Sequence, residues 1–271
     1  MYQRIIIATG MPRSGTSWLG EIVNSSPAVR LRVSPPFAYE FKNIVDARSP
    51  RADWDDLFEG AYRSNNAFMD QTYRRASGEY PTFAKQSDSP PVLCVKFDRF
   101  QDVLPRLLEL YAADELKAVA IVRNPCAAIH SWLTAPREFP ADADPLDQWR
   151  SGAVKKEFPG DFFGFDDWKA ITAMQLDLAE RHPDRLMVVQ YERLVDAPLE
   201  VTGRVFDFLG LALEPQTTEF LADCHSRRMD TVYSVYRPPT VKDRWRAALQ
   251  PEIRDAIHAE LASGPLARFL V

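Results

Sequence analysis

Four short apolar runs, rich in β-branched residues, alternate along the chain with stretches whose apolar positions repeat at helical spacing. The runs cover residues 5–8, 92–95, 118–122 and 186–189. A strand that is buried on both faces has this continuous apolar character, because neither face meets water. Alternation of such strands with helices predicts an α/β protein, a three-layer α/β/α arrangement around a central parallel sheet.

Two long segments, residues 35–91 and 136–165, lack a strong strand pattern and are rich in proline, aromatic and charged residues. We interpret them as excursions over the sheet that form the acceptor side of a binding site. A chain of 271 residues falls within the size range of single α/β domains. Residues 1–271 are therefore expected to form one domain.

Composition narrows the classes of function. The 33 Lys and Arg are outnumbered by 38 Asp and Glu, so the formal net charge is −5, which disfavours a general nucleic-acid or anionic-membrane binder. Cys94, Cys126 and Cys224 are widely separated and indicate neither a disulfide framework nor a zinc site. The chain lacks an apolar run of about 18 residues and enters a strand-like segment by Arg4. We therefore expect a cytoplasmic protein without a metal.

The strongest chemical signal is the segment 11–18, which follows the first predicted strand. A strand, a glycine-containing turn and a helix N-terminus bring backbone N–H groups to the positive end of a helix dipole, which favours an anion. The triphosphate-loop pattern G-x-x-x-x-G-K-[ST] is not met, because Gly10 and Gly15 are followed by Thr16 where lysine belongs. Arg13 is the cation inside the loop. One loop cation suffices for a transferring sulfuryl group, because this group carries less charge than a triphosphate, which usually needs Mg²⁺ as well. An ordinary strand-to-helix turn is the alternative.

The string Pro-Arg-Ser-Gly-Thr-Ser-Trp-Leu at residues 12–19 resembles the 5'-phosphosulfate loop of sulfotransferases that use 3'-phosphoadenosine-5'-phosphosulfate (PAPS). The resemblance implies that Arg13 stabilises the bridging oxygen as the bond to sulfur breaks, and that Trp18 stacks near the adenine. It also implies that the 5'-phosphate is held by Ser14, Gly15, Thr16 and Ser17. Asn-Ser-Ser-Pro at residues 24–27 is more similar to the carbohydrate and bacterial branch of the family than to the cytosolic phenol and steroid branch.

A second anion site is expected where the third predicted strand ends. Asn124 is a good helix N-cap and Pro125 suits the first helical position, so Arg123 lies at a helix start. The family's 3'-phosphate element is an Arg followed eight residues later by Ser, and Arg123 with Ser131 is similar to it. Tyr191 resembles the tyrosine that the family places beside the adenosine. A surface ion pair, a helix-surface hydroxyl and a buried structural tyrosine are the respective alternatives.

The C-terminal part of the chain carries a basic segment that resembles the family's loop over the 3'-phosphate. That loop is rich in Arg, Lys and Gly and precedes a Trp. Here Trp245 is present, but two prolines replace the glycines. The candidate phosphate ligands in this segment are Arg237, Lys242 and Arg246, and a solvated basic loop is the alternative.

Sulfuryl transfer to a hydroxyl needs a group that accepts the proton as the oxygen attacks. Asp98 is the first candidate, because it follows a predicted strand whose carboxyl edge faces the ligand crevice. In the cytosolic branch of the family a Lys-x-His stands at this strand end, so Lys96 and Asp98 resemble its lysine and histidine, and Lys96 is expected to neutralise charge. Glu40 is the second candidate. A helix cap or ion pair for Asp98 and a solvated Glu40 are the alternatives.

Together these features predict a metal-independent sulfotransferase with a P-loop-like fold. It is expected to use PAPS as donor and a hydroxyl of a small molecule or saccharide as acceptor. A nucleotide-dependent small-molecule kinase is one alternative, although the Lys-Ser or Lys-Thr of its loop is lacking. An adenosine-phosphate binding module without activity is the other alternative.

Overall fold

The computed structural model describes residues 2–227, 229 and 231–271, apart from the side chain of Tyr39. Within this part of the chain, five parallel strands form one sheet in the order β2-β3-β1-β4-β5. The strands are β1 (Arg4–Thr9), β2 (Val29–Val33), β3 (Val92–Phe97), β4 (Leu116–Val122) and β5 (Leu186–Gln190). The predicted α/β fold with a central parallel sheet is confirmed.

Helices connect the strands and cover both faces of the sheet. In chain order they are α1 (Thr16–Asn24), α2 (Arg51–Arg63), α3 (Ala67–Asp70), α4 (Thr72–Ala76), α5 (Leu104–Leu110), α6 (Pro125–Leu133), α7 (Pro145–Gln148), α8 (Gly164–Arg181), α9 (Tyr191–Asp196), α10 (Pro198–Leu209), α11 (Pro215–Ser226), α12 (Trp245–Ala248) and α13 (Pro251–Glu260). Short 3-10 turns lie at Pro35–Phe37, Tyr39–Phe41, Gln101–Val103, Ala153–Lys155, Pro239–Asp243 and Ala267–Phe269.

The strand β2 has no counterpart among the four predicted strands. Its sequence alternates Val, Arg, Leu, Arg, Val, so it lacks the continuous apolar run that marks the other strands. Arg32 is nevertheless fully buried. Its guanidinium donates to the carbonyl oxygen of Ala61 at 2.7 Å and is paired with Asp70. These partners satisfy a buried charge that would otherwise be costly in an edge strand.

Alternate side chains of β1 enter the two helix-covered layers. Ile6 packs in a cluster with Leu19 of α1, whereas Ile5 and Ile7 pack in a second cluster with Trp54 of α2. This alternation follows from the two-residue period of a strand, and it explains why β1 is apolar at every position from Ile5 to Ala8. The sheet is therefore covered on both faces, and ligands have access to its edge.

The carboxyl ends of β3, β1, β4 and β5 lie near one another along the sheet. Thr9 at the end of β1 is in register with Phe97 of β3 and Ala120 of β4, and Val122 is in register with Gln190 of β5. The residues that follow each strand consequently meet at one edge. In an open parallel sheet this edge is where ligands bind.

Candidate active site

A cavity of about 390 Å³ opens at the carboxyl edge of the sheet. Its walls come from the loop after β1, the residues that follow β3, β4 and β5, and the segment 232–244. Residues of the two excursions, 35–91 and 136–165, also line it. The cavity therefore lies where the predicted motifs converge.

The loop between β1 and α1 is held in a conformation that needs glycine at both of its ends. Gly10 has φ of 151° and Gly15 has φ of 94°, and a Cβ on Gly10 would lie 2.4 Å from the carbonyl oxygen of Ile121. A Cβ on Gly15 would lie 2.6 Å from the ring of Tyr191. The loop thus packs against β4 on one side and against Tyr191 on the other. Arg13, with φ of 66°, is the non-glycine residue of the loop in the left-handed region.

The N-terminus of α1 faces the cavity. The amide of Leu19 donates to the carbonyl of Gly15 at 3.0 Å and closes the first turn of the helix. The preceding amides of Thr16, Ser17 and Trp18 have no earlier carbonyl within the helix to bind, and these residues line the cavity. The arrangement suits an anion, because these N–H groups and the helix dipole point toward it.

Ser14 has a different position from its neighbours. Its amide donates to the carbonyl of Met11 at 3.1 Å, and its fully buried hydroxyl has no hydrogen-bond partner in the described part of the chain. Ser14 is not part of the cavity wall that the described residues form. The structure therefore places Ser14 behind the loop, with Arg13 and Gly15 on the cavity side.

The two predicted anion elements lie in direct contact. The Nε of Arg13 donates to the Oγ of Ser131 at 3.2 Å, and a terminal nitrogen of Arg123 donates to the carbonyl oxygen of Arg13 at 3.0 Å. Asn124 caps α6 by accepting from the amides of Cys126 and Ala127. Arg123 is therefore fixed between the loop and the start of α6.

Arg123 is prepared for a further partner. Only 7% of the residue is exposed, and its buried Nε has no hydrogen-bond partner among the described residues. Burial lowers the pKa of its guanidinium. Arg237 also lines the cavity, and burial lowers its pKa, with Arg13, Arg244 and Arg123 contributing further to the lowering by repulsion. This crowding of cations is what phosphate groups would relieve, so the residues present fit a phosphorylated ligand.

Two aromatic rings form a wall of the cavity beside these cations. The rings of Trp18 and Tyr191 meet edge to face, with centroids 6.1 Å apart, and the guanidinium carbon of Arg123 lies 4.7 Å from the centroid of the Tyr191 ring. An aromatic wall next to an anion site matches the chemistry of a phosphorylated nucleoside, which has a flat base and charged groups.

The basic C-terminal segment contributes to the cavity only in part. Arg237 and Arg244 line the cavity. Lys242 is instead paired with Asp196, and Arg246 lies 3.1 Å from Asp243. The 3-10 turn at Pro239–Asp243 lies within this segment. Arg237 and Arg244 therefore face the cavity, whereas Lys242 and Arg246 face carboxylates. Arg244 was not among the sequence-derived candidates, although it belongs to the same basic run.

Asp98 follows directly after β3 and lines the cavity. Its carboxylate is 2.6 Å from the ammonium of Lys96, and it accepts a hydrogen bond from the hydroxyl of Ser34 at 3.3 Å. Burial favours the neutral acid, but the charges of Lys96 and Arg99 outweigh it and hold the pKa of Asp98 below its ordinary value. Asp98 is therefore an ionised carboxylate that lines the cavity.

Glu40, the second carboxylate candidate, is an exposed residue that is not part of the described cavity wall. Its carboxylate accepts from the hydroxyl of Ser64 at 2.7 Å and from the amide nitrogen of Asn66 at 3.4 Å. The geometry thus sets Asp98 and Glu40 apart, since only Asp98 of the two faces the cavity.

Residues that were not selected from the sequence also line the cavity, among them His130, Glu138 and His225. Burial lowers the pKa of both histidines, and Arg123 contributes to the lowering at His130. Glu138 pairs with Arg13 at 3.2 Å. Because these residues lie on a helix end, a connecting segment and α11, no short motif in the sequence links them.

No helix in residues 2–227, 229 and 231–271 has the length and apolar character needed to cross a membrane. Over the same residues, no group of three or more His, Cys, Asp or Glu is arranged to hold a metal ion.

Sequence comparisons with known proteins agree on one family. A model of the sulfotransferase domain family matches residues 3–238. Nodulation protein H of Rhizobium meliloti (strain 1021) is 26% identical over 208 residues, which cover 74% of this chain and 74% of that protein. A Caenorhabditis briggsae protein that carries the name of a protein-tyrosine sulfotransferase is 25% identical over 217 residues, which cover 79% of this chain and 68% of that protein.

Solved structures share the fold. The sulfotransferase domain of the Synechococcus PCC 7002 olefin synthase has a TM-score of 0.53 and 17% identity, over 97% of this chain and 96% of that one. A mouse sulfotransferase in complex with PAP has a TM-score of 0.54 and 14% identity, over 98% of this chain and 88% of that one. The predicted P-loop-like sulfotransferase fold is confirmed.

Proposed function

The chain belongs to the sulfotransferase family, and on this basis we propose that it transfers the sulfuryl group of PAPS to a hydroxyl group of an acceptor. The observation that carries the proposal is the contact between the two anion elements, in which Arg13 Nε donates to Ser131 Oγ at 3.2 Å. Convergence of a helix N-terminus, buried arginines and an aromatic wall on one cavity supports a donor with two phosphorylated positions and an adenine.

The donor, when bound, supplies the activated sulfuryl group, and the residues of the chain orient it. We assign the 5' end to Arg13 and to the amides of residues 15–18, with Ser14 supporting the loop from behind. Arg123 and Ser131 are assigned to the 3'-phosphate, with Arg237 and Arg244 as further cations at the same cavity. Lys242 and Arg246 retain their carboxylate partners in this assignment.

The proton of the acceptor hydroxyl is proposed to move to Asp98 as the oxygen attacks sulfur. Asp98 suits this role because its carboxylate is ionised and faces the cavity, whereas Glu40 faces Ser64 and Asn66. Lys96, at 2.6 Å from Asp98, would stabilise negative charge at the transferring group. The base must lie within about 3 Å of the hydroxyl it deprotonates, which defines where the acceptor binds.

The acceptor is proposed to be a ring-shaped molecule. Phe37, Phe68 and Tyr73 line the cavity on the excursion side, and Phe68 and Tyr73 are 36% and 50% exposed. Such faces stack with a saccharide ring, the class expected from the sequence, and equally with an aryl ring. The lowered pKa of Asp98 makes it a weak base, which favours the more acidic hydroxyl of a phenol, with a pKa of about 10, as the second candidate.

A panel of acceptors tests the proposal. Purified protein is incubated with PAPS labelled with ³⁵S and either glycosides, phenols or aliphatic alcohols, and labelled products are separated and counted. Transfer to at least one hydroxyl class is expected, and its identity decides between the two candidate acceptor classes. Binding of adenosine 3',5'-bisphosphate (PAP) without transfer to any of them would support the binding-module alternative, and phosphoryl transfer from ATP and Mg²⁺ would support the kinase alternative.

A further inference from the structure

Glu138 is a charged residue of the cavity to which the proposed reaction gives no role. Its carboxylate accepts from a terminal nitrogen of Arg13 at 3.2 Å. The other donors of Arg13 are directed to Ser131 and to the carbonyl oxygen of Val232, at 3.2 and 3.1 Å. Three of the five N–H groups of the guanidinium are therefore committed to acceptors within the chain.

The pair between Arg13 and Glu138 is well shielded from water. The side chains are 13% and 23% exposed, so salt and solvent screen the attraction less than at an open surface. Among the described residues, Arg13 has three acceptors, and of these Glu138 alone carries a formal charge. It is therefore the strongest competitor for any anion that approaches this guanidinium.

The backbone of Glu138 is fixed in place. Its amide donates to the carbonyl of Ala135 at 2.9 Å, and its carbonyl accepts from the indole N–H of Trp132 at 3.3 Å. The next residue, Phe139, packs edge to face on Trp132 with ring centroids 5.2 Å apart. The backbone that carries the carboxylate is thus anchored by these contacts, so a rotation of the side chain is enough to move the carboxylate away from Arg13.

We propose that the Glu138 carboxylate competes with the 5' end of the donor for Arg13, and that it thereby weakens donor binding and speeds release of the PAP product. The proposal rests on the donor assignment made above. A fork of guanidinium N–H groups grips an anion best when two of them are available in parallel, and Glu138 occupies one side of that fork. As PAP leaves, Glu138 pairs with Arg13 again and neutralises its charge. Product release is the step that limits turnover in many enzymes.

The test compares Glu138→Gln with the unaltered protein. The amide keeps the size of the side chain and removes its charge, so PAP is expected to bind about tenfold more tightly, in line with the loss of a charged hydrogen-bond competitor. Affinity is measured by isothermal titration calorimetry, and the PAP dissociation rate by stopped-flow displacement. We expect the dissociation rate to fall by a similar factor, because affinity changes at one site reside mainly in dissociation.

Glu79→Gln is a matched control. Glu79 pairs with Arg74, another cation of the cavity wall, at 3.0 Å and with the same exposed fractions of 13% and 23%. Loss of the Glu79 charge is expected to leave PAP affinity unchanged, because Arg74 is not among the residues assigned to the donor. Glu138→Asp, which draws the carboxylate back from Arg13, provides a second variant and should give a smaller gain in affinity. Thermal unfolding of all variants without PAP verifies that they are folded.

The outcomes separate this inference from the donor assignment. If the unaltered protein binds PAP and Glu138→Gln binds it equally or more weakly, Glu138 does not compete for Arg13 and the inference is wrong. A fall in kcat with unchanged PAP affinity would identify Glu138 as a positioning residue for Arg13 instead. If the unaltered protein does not bind PAP at all, the donor assignment fails and the inference fails with it.

Discussion

Substitution of Gly15 by alanine tests whether the loop must keep the backbone conformation that the structure shows. A non-glycine residue at φ of 94° is expected to cost about 1 to 2 kcal/mol. The added Cβ would also lie 2.6 Å from Cδ2 of Tyr191, well inside the optimal carbon–carbon separation of about 3.5 to 4.0 Å. The ring must therefore move by about 1 Å, or the loop must change its path.

Either response weakens the donor site. A penalty of about 2 kcal/mol corresponds to a loss of about thirtyfold in PAP affinity, measured by isothermal titration calorimetry. Combining Gly15→Ala with Tyr191→Ala removes the clash and leaves the backbone strain, so the loss caused by Gly15→Ala should shrink when Tyr191 is already alanine.

Gly203→Ala is the control for this experiment. Gly203 lies inside α10, and a Cβ there meets no atom within 4 Å. Alanine at this helical position is expected to raise stability by about 0.5 to 1 kcal/mol and leave PAP affinity unchanged. If Gly15→Ala binds PAP as tightly as the unaltered protein, the loop does not need this backbone conformation to bind the donor.

Three further predictions concern single side chains. Arg123→Lys should reduce the preference for PAP over 5'-AMP about tenfold in competition titrations, because lysine cannot supply the buried Nε–H; an unchanged preference would contradict the 3'-phosphate assignment. Asp98→Asn should lower kcat by about a hundredfold or more. Because the pKa of Asp98 lies below its ordinary value, kcat/KM of the unaltered protein should stay level as pH falls from 7 to about 5. A fall in activity near pH 6 would instead indicate that His130 or His225 is the base. Burial lowers the pKa of Lys85 to about 8, so the folded protein releases this proton before the unfolded chain does. The stability of the unaltered protein relative to Lys85→Met, measured in denaturant titrations, should therefore increase as pH rises from about 8 to 10; a difference that does not change with pH would contradict this.

The sequence was informative wherever local pattern decides structure. Continuous apolar runs identified β1, β3, β4 and β5, because strands covered on both faces need apolar residues on both faces. The edge strand β2 escaped this criterion, since Arg32 is buried there through contacts to carbonyls of α2 and to α3, which lie far along the chain. Such long-range compensation leaves no mark in the local sequence.

The same limit applies to the site. The loop and the spacing of Arg123 and Ser131 are local patterns, and the structure brings both to one cavity. Whether Arg244 and Lys242 face the cavity depends on a 3-10 turn that the two prolines begin. The order of basic residues along this segment does not predict which of them face the cavity. Glu138 meets Arg13 across more than a hundred residues of sequence, so only the three-dimensional structure reveals their contact.

Transfer of label from ³⁵S-PAPS by the unaltered protein and by Arg13→Ala tests whether the cavity catalyses sulfuryl transfer and whether Arg13 takes part in it. PAP binding by calorimetry accompanies each transfer assay, with donor at saturation and the best acceptor of the panel. We expect the unaltered protein to transfer label, and we expect Arg13→Ala to keep measurable PAP binding while it loses most of its turnover, because Arg13 acts on charge that develops during the reaction. Absence of transfer by the unaltered protein, or unchanged turnover in Arg13→Ala, would show that Arg13 does not drive sulfuryl transfer here.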